Sequence, residues 1–413
     1  MSSVIAMSGL TDPAVQDDPF DYYAGRLASC PVWHEDDIDL WVIGGLAEAR
    51  EALQDIATFS STPARSRRAS AAQIAYHQTL VELGWPRQAT LQRTDPPVHT
   101  RYRKLLNRVF TPAAVRGFTP HIDAIARELV DSIAERGECE FVADFALPLP
   151  GIFIAEQLGL DRADYRTFRR WADAMLALAN RPQMSVEEAM TEAAIEVEAQ
   201  RFLAVEFDRR RAEPSSDLIS MLVHAHGDDE EPFTMHELQD LMHQLVTGGF
   251  ETTTASLSAG MWLLVRHPGQ QRLLREQPAL MGNFIEEVLR FDAPVQGLWR
   301  QAMCPAQVAG AEIPEGANVM MRFGAANRDP RVFDEPDRFD ITRGNARNHA
   351  AFGFGAHFCV GAALARQEMA SAFTAILDRF ASFELAEEMP SPVHEPSIFL
   401  RPMKRLPLRV VSS

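Results

Sequence analysis

Long apolar runs are missing from this 413-residue chain: stretches such as Ala259–Val265 stop far short of the roughly 18 residues a bilayer span needs. The opening MSSVIAMSGLTDPAVQDDPF lacks a basic n-region and soon meets acids and prolines, so no signal peptide, no membrane association and a cytoplasmic location are expected. Cysteine is scarce. Cys30, Cys139, Cys304 and Cys359 are too few for a disulfide framework, and reduced thiols follow. Positive charge is in deficit, 40 Lys+Arg against 57 Asp+Glu for a net −17, which argues against bulk nucleic-acid binding while leaving room for a local basic patch. No repeat, low-complexity tract or Gly/Ser linker divides the chain, so one integrated unit over residues 1–413 is expected. What is present, 46% hydrophobic and 23% charged residues, is ordinary globular composition.

Periodicity predicts a mainly α protein with a smaller β-rich portion, an α+β class. Apolar residues return at three- and four-residue intervals in Ile122–Ile133, Ile152–Leu158, Tyr165–Leu178 and Ala189–Phe207. The helical portion covers about 95–290 and 359–380. The β-rich portion covers about 20–60 and 295–350, with strands expected at Asp39–Ile43, Gln307–Val308 and Ala317–Arg322, and a helix at Leu46–Asp55.

The longest helical pattern is also the least regular. Thr234 with Glu237 makes a capping box, and the apolar rhythm continues through Leu238, Leu241, Leu245, Leu257, Met261 and Leu264. About 30 residues give a rod of about 45 Å, enough to cross a domain. Its middle nevertheless reads Gly248-Gly249-Phe250-Glu251-Thr252-Thr253-Thr254. Each glycine costs about 1 kcal/mol relative to alanine, and the β-branched triplet adds to that. Two readings stand: a packing notch where another helix crosses, or a groove that holds something. A bond from Thr252 back to the Gly248 carbonyl would open such a groove.

Phe352-Gly353-Phe354-Gly355-Ala356-His357-Phe358-Cys359-Val360-Gly361 is the densest signal. Cys359 directly precedes a helix whose N-terminal N–H groups favour an anion, so its thiol is expected to ionise easily. Three glycines let the backbone turn tightly and approach a flat object. A thiolate offered from such a loop suits a soft axial metal ligand.

Here the sequence resembles the cytochrome P450 family of haem-thiolate monooxygenases. The family pattern Phe-Gly-x-Gly-x-His-x-Cys-x-Gly is matched at all six specified positions, and at roughly 2–7% usage per residue a chance match is below about one in ten thousand. The resemblance implies the P450 fold, with haem b between a long distal helix and a proximal cysteine-loop helix. It makes Cys359 the iron ligand, places Phe352 near the sulfur and His357 near a propionate, and counts Gly361 in the haem-binding loop.

Weaker motifs fall in family order. Glu287-Val288-Leu289-Arg290 fits the Glu-x-x-Arg pattern, and Pro336-Asp337-Arg338-Phe339 resembles the segment whose arginine joins it, which implies a buried Glu287–Arg290–Arg338 network. His99 and Arg103 are four apart and share a helix face. The resemblance gives them, with Arg300, the haem propionates.

By the same resemblance, Glu251 relays protons and Thr252 positions them on the oxygen-activating helix. Leu245, Gly249, Val295, Leu298, Ile398 and Phe399 would line a mostly apolar pocket, drawn also from about Ser60–Leu91 and Ala177–Arg181. The implied activity is insertion of one oxygen atom from O2 into a lipophilic small molecule, by a monomer. Electrons come from a separate ferredoxin-type or flavodoxin-type donor, docked by Arg101, Lys104, Arg108, Arg116 and Arg366. A peroxygenase and a non-catalytic haem-binding protein of the same fold are the alternatives.

Overall fold

A computed structural model describes residues 9–62, 69–181, 183–227 and 230–412. Residues 63–68, part of the expected Ser60–Leu91 pocket region, lie outside the described residues. The predicted helices fall on Pro112–Arg136, Pro148–Gln157, Tyr165–Asn180 and Val186–Ala212. Their ends follow local chemistry. Thr111 accepts from the Ala114 N–H at 3.1 Å, Pro112 follows it, and Gly137 closes the same helix at φ 73°.

The expected β-rich portion holds a five-stranded sheet and a separate pair, Ala306–Val308 with Ala311–Ile313, on which the expected Gln307–Val308 strand falls. The spatial order of the five strands is Val32–Glu35, Leu40–Ile43, Asn318–Met321, Leu298–Ala302, Phe59–Ser60, so segments 32–60 and 298–321 are woven together. Leu40–Ile43 runs parallel to Asn318–Met321, with Trp41 opposite Val319. A further, three-stranded sheet of Glu138–Glu140, Pro407–Ser412 and Phe380–Leu385 was not expected, and it sets a strand inside the helical portion. Glu138–Glu140 is too short for alternation to show; Pro407–Arg409 from the far end of the chain pairs with it.

The long helix runs Met235–Arg266, and its capping box forms through Glu237 N to Thr234 Oγ1 at 3.3 Å and Thr234 N to Glu237 Oε2 at 2.8 Å. Its N-terminal half (Leu238, Leu241, Phe250) packs with Leu105, Trp171 and Phe207. Its C-terminal half (Leu257, Met261, Leu264) packs with Phe373 and Ile376 of the helix Ala362–Arg379. One rod therefore serves two cores.

The packing notch exists, but not at the glycine pair. A Cβ on Gly260 would stand 2.5 Å from the Phe373 ring, whereas one on Gly248 would meet only Gln92 Nε2 at 3.9 Å, and one on Gly249 the Ile154 Cδ1 at 3.5 Å. Gly248 is exposed although the rod is otherwise largely buried. The helix middle thus opens onto a cleft.

Candidate active site

The cysteine loop is shaped by its own glycines. Gly353 and Gly355 adopt φ 67° and 70°, and a Cβ on Gly355 would lie 2.8 Å from the Leu53 carbonyl. Gly361 corrects the expectation of a third tight turn. Its φ is −85° and a Cβ there would approach only Cys359 Sγ, at 4.0 Å. The Cys359 N–H donates to the Phe352 carbonyl at 2.9 Å, and Arg103 donates to the Phe358 carbonyl. Phe352 lies under the Arg366 guanidinium at 4.4 Å.

The expected easy ionisation of Cys359 is opposed by its packing. Burial raises its pKa, and the Gly361 and Ala362 N–H groups with Arg103 and Arg366 pull it down without prevailing. Position before a helix does not suffice, because the same packing that orders the loop removes water from the sulfur. A metal cation bound there would favour the thiolate over the thiol.

Beside the loop, two imidazoles and a buried guanidinium converge, with the Asp95 carboxylate 3.7 Å from His357 Nε2. His99 Nε2 is buried with no hydrogen-bond partner. Its ring lies 4.2 Å from that of His357. Arg300 is buried, donates to the Trp299 carbonyl at 2.7 Å and has no carboxylate in ion-pair contact among the described residues. Burial lowers its pKa to about 10. Burial, with His99 and Arg300 adding to it, lowers His357 to about 4 against the pull of Asp95. Asp95 supplies one negative charge here while also accepting from Ser60, from the Ser61 N–H at 3.1 Å and from Thr62 at 3.3 Å, and it leaves His99 Nε2 without a hydrogen bond and Arg300 without an ion pair among the described residues. An orphaned imidazole nitrogen and an unpaired buried guanidinium fit a ligand carrying two carboxylates, as haem does.

The Glu287 network is real but its third member differs. Glu287 and Arg290 are fully buried and joined at 2.7 and 2.8 Å. Arg343, not Arg338, completes the pair at 3.2 Å. The Arg338 side chain is 59% exposed and faces Glu335 and Asp340; only its carbonyl accepts from Arg290. A turn points the Arg338 side chain outward and returns Arg343 to the carboxylate, which motif order alone cannot show. Sequence reasoning also missed Glu286. It binds His349 at 3.0 Å and Arg366 at 2.7 Å, tying the helix Met281–Phe291 to the cysteine loop and its helix. The available signal was a second buried-type acid beside Glu287.

Across the cleft, Thr252 Oγ1 donates to the Gly248 carbonyl at 2.6 Å, as the back-bonding expectation required. Glu251 Oε1 accepts from Asn180 at 2.7 Å, Oε2 is buried without a partner, and burial raises its pKa. The apolar candidates form two groups. Leu245 and Gly249 lie on the long helix; Val295 bridges to Leu400 and Gln296 N donates to the Phe399 carbonyl at 2.8 Å, bringing 295–298 beside 398–400. Val295 and Leu298 pack on one sheet core, while Ile398 packs instead on the cluster around Tyr23 and Met320.

A half-buried cysteine in a glycine loop, a cradle of imidazole and guanidinium groups and an opened helix define a haem-thiolate protein. The comparisons agree. The family model described as Cytochrome P450 matches residues 167–410. The chain is 34% identical to 6-deoxyerythronolide B hydroxylase of Saccharopolyspora erythraea over 378 residues, 90% of each chain. It is 33% identical to cytochrome P450 monooxygenase PikC of Streptomyces venezuelae, covering 95% of this chain and 91% of that one. The solved structure of cytochrome P450 CYP109Q5 from Chondromyces apiculatus superposes with TM-score 0.84 at 30% identity, covering 98% of both. The chain belongs to the cytochrome P450 family. It is a monooxygenase of the oxidoreductase class and uses haem with a cysteine thiolate ligand. No helix among the described residues is long and apolar enough to cross a membrane.

Proposed function

We propose that this chain, as one P450 unit in the cytoplasm, hydroxylates a lipophilic small molecule with O2, Cys359 holding the haem iron. The observation that carries this reading is the Glu251–Thr252 pair placed where the long helix opens, in a chain whose cysteine loop is complete. The names hydroxylase and monooxygenase borne by the relatives support it. A peroxygenase or an inert haem carrier would have no need of this acid–hydroxyl pair.

When bound, the haem supplies the redox chemistry that activates dioxygen with two electrons and two protons. The residues of the chain manage binding, dryness and protons. His99, Arg103, Arg300 and His357 hold the propionates. Glu251, kept protonated more readily by burial, is a proton store at the cleft wall gated by Asn180. Thr252 commits its hydroxyl hydrogen to Gly248, so its oxygen lone pairs face the cleft and orient a proton-bearing water there. Leu245, Gly249, Val295, Leu298 and Phe399 keep the site apolar.

Electrons come from a separate ferredoxin-type or flavodoxin-type protein. The expected basic docking patch is largely neutralised: Arg101 pairs with Glu237, Lys104 and Arg108 with Glu230, and Arg366 with Glu286. Of the five, Arg116 alone has no carboxylate partner among the described residues. Electrostatic steering of the donor is accordingly weak, and reduction rates should change little with ionic strength.

The function is tested with Thr252→Ala in a reconstituted electron-transfer system, measuring NAD(P)H used, hydrogen peroxide formed and product formed. Substrate binding and first reduction stay near wild type while product per NAD(P)H falls, because loss of a positioned proton donor costs general acid catalysis about 10²–10⁴-fold. Full coupling in the variant would remove Thr252 from the proton route.

A further inference from the structure

Arg366 lies one turn into the helix Ala362–Arg379, which starts three residues after Cys359, and it reaches back to the Ala362 carbonyl at 3.5 Å. Its guanidinium stands 4.4 Å over the Phe352 ring. The Phe352 carbonyl in turn accepts the Cys359 N–H at 2.9 Å. A fixed positive charge is thus stacked on the residue that is hydrogen-bonded to the cysteine. Arg103 approaches the same loop from another helix, Val98–Val109, and donates to the Phe358 carbonyl. Of these two cations, Arg366 is the one tied to a buried carboxylate.

That carboxylate is Glu286. Its two oxygens accept from Arg366 Nε at 2.7 Å and from Nη2 at 2.9 Å, the bidentate arrangement that fixes a guanidinium plane. His349, also buried, holds the carboxylate from another side at 3.0 Å. The Ala351 N–H donates to His349 Nδ1 at 3.1 Å, so Nδ1 carries no proton. The proton sits on Nε2, facing Glu286, and the ring is neutral. Arg347 comes within 3.6 Å of Glu286, but its side chain is 77% exposed and water screens it. The charge of Arg366 is therefore answered by Glu286, one for one. Neither the propionate cradle nor the proton route uses this pair, and Glu287 beside it has its own arginines, Arg290 and Arg343.

We propose that Glu286 is a positioning residue that sets the haem reduction potential through Arg366, by keeping the charge stacked beside the cysteine loop close to neutral. In the first reduction one electron passes from the donor protein to the iron. The donor is oxidised, the iron is reduced, and the site gains one negative charge with no bond made or broken. An unanswered Arg366 would favour that more negative state and raise the potential. An unanswered Glu286 would disfavour it and lower the potential. Both effects act at short range in a region poor in water, where charges are weakly screened. The inference rests on Cys359 as the haem ligand, and on neither the hydroxylation reading nor its substrate.

The test is spectroelectrochemical titration of the haem-loaded protein without substrate. Glu286→Gln keeps the shape and removes the charge, and it raises the potential by about 59 mV, a tenfold shift of the one-electron equilibrium. Arg366→Gln lowers the potential by a similar amount, and Arg366→Lys, which keeps the charge, stays near wild type. The double variant Glu286→Gln with Arg366→Gln returns to near wild type. The red-shifted Soret band of the reduced carbon monoxide complex shows in each variant that the thiolate is still bound. Loosening of the loop would move both single variants the same way, so opposite signs exclude it. Shifts of one sign, no shift in either, or a double variant displaced as far as a single one overturns the proposal. Should Glu286→Gln fail to load haem, the sign for Arg366→Gln decides, and loss of the Soret band in Arg366→Gln also overturns the proposal.

Discussion

Arg290 and Arg300 are both buried, one at the end of a helix and one on a strand, and their surroundings are opposite. Arg290 reaches both oxygens of Glu287 and the carbonyls of Asn327, Pro336 and Arg338, with Arg343 sharing the carboxylate. Arg300 reaches one carbonyl and no carboxylate partner among the described residues, beside a His99 nitrogen with nothing to bind. A closed set stabilises the chain by itself, because each desolvated charge has its answer in the fold. An open set costs stability until a ligand supplies the missing charge. Buried charge alone therefore does not mark a binding site; unanswered buried charge does.

The comparison breaks first, and most heavily, at Glu287. Glu287→Ala leaves Arg290 and Arg343 uncompensated, and a loss of about 3–5 kcal/mol is expected. The urea midpoint of the haem-loaded protein reads it. A change no larger than that of an ordinary surface substitution, about 0.5 kcal/mol, would show that the network is not a lock.

Glu368 sharpens the same contrast from the acid side. It is buried with Thr253 Oγ1 at 3.4 Å as its hydrogen-bond partner, and burial raises its pKa to about 8. Between the ordinary value of 4.5 and about 8, the folded state holds a proton that the unfolded chain has released. Stability therefore falls as pH rises through that window, by up to about 1.4 kcal/mol per pH unit. Glu368→Gln stays neutral and loses this slope, so its stability gain over wild type is greater at pH 8 than at pH 5. Parallel urea titrations at the two pH values check the sign; an equal effect at both contradicts it.

The smallest effect on folding, and the most specific one, belongs to the open set. Arg300→Ala and His99→Ala remove groups that have no carboxylate in ion-pair contact among the described residues, so their urea midpoints stay near wild type. Haem transfer to apomyoglobin quickens about 10–100-fold, the value of a charge-assisted hydrogen bond. Retention equal to wild type would separate these residues from the propionates.

The two sets also differ in how far they were legible. Glu287 and Arg290 are three apart on a helix, so their pairing follows from local geometry. The third partner does not, because Arg338 and Arg343 both lie in a turn whose path is set by what it packs against. Likewise the broken helix middle was visible as composition, but only packing shows that Gly260 meets Phe373 while Gly248 meets almost nothing. The expected basic docking patch carries less free charge for a related reason: Arg101, Lys104 and Arg108 read as free cations until Glu230 and Glu237 are folded against them.

By itself the sequence determined what depends on neighbours along the chain. Phe352–Gly361 specifies a loop that only glycines at 353 and 355 can turn, Thr234 and Glu237 start the long helix, and Thr252 reaches back one turn to Gly248. These are interactions within a few residues, where steric and hydrogen-bond rules act without knowledge of the fold. Only tertiary structure decided what depends on meeting: Arg343 closing on Glu287, Glu286 joining His349 to Arg366, and the far end of the chain pairing with Glu138–Glu140. A charge is answered or left open by segments distant in sequence, and desolvation is a property of everything packed around it.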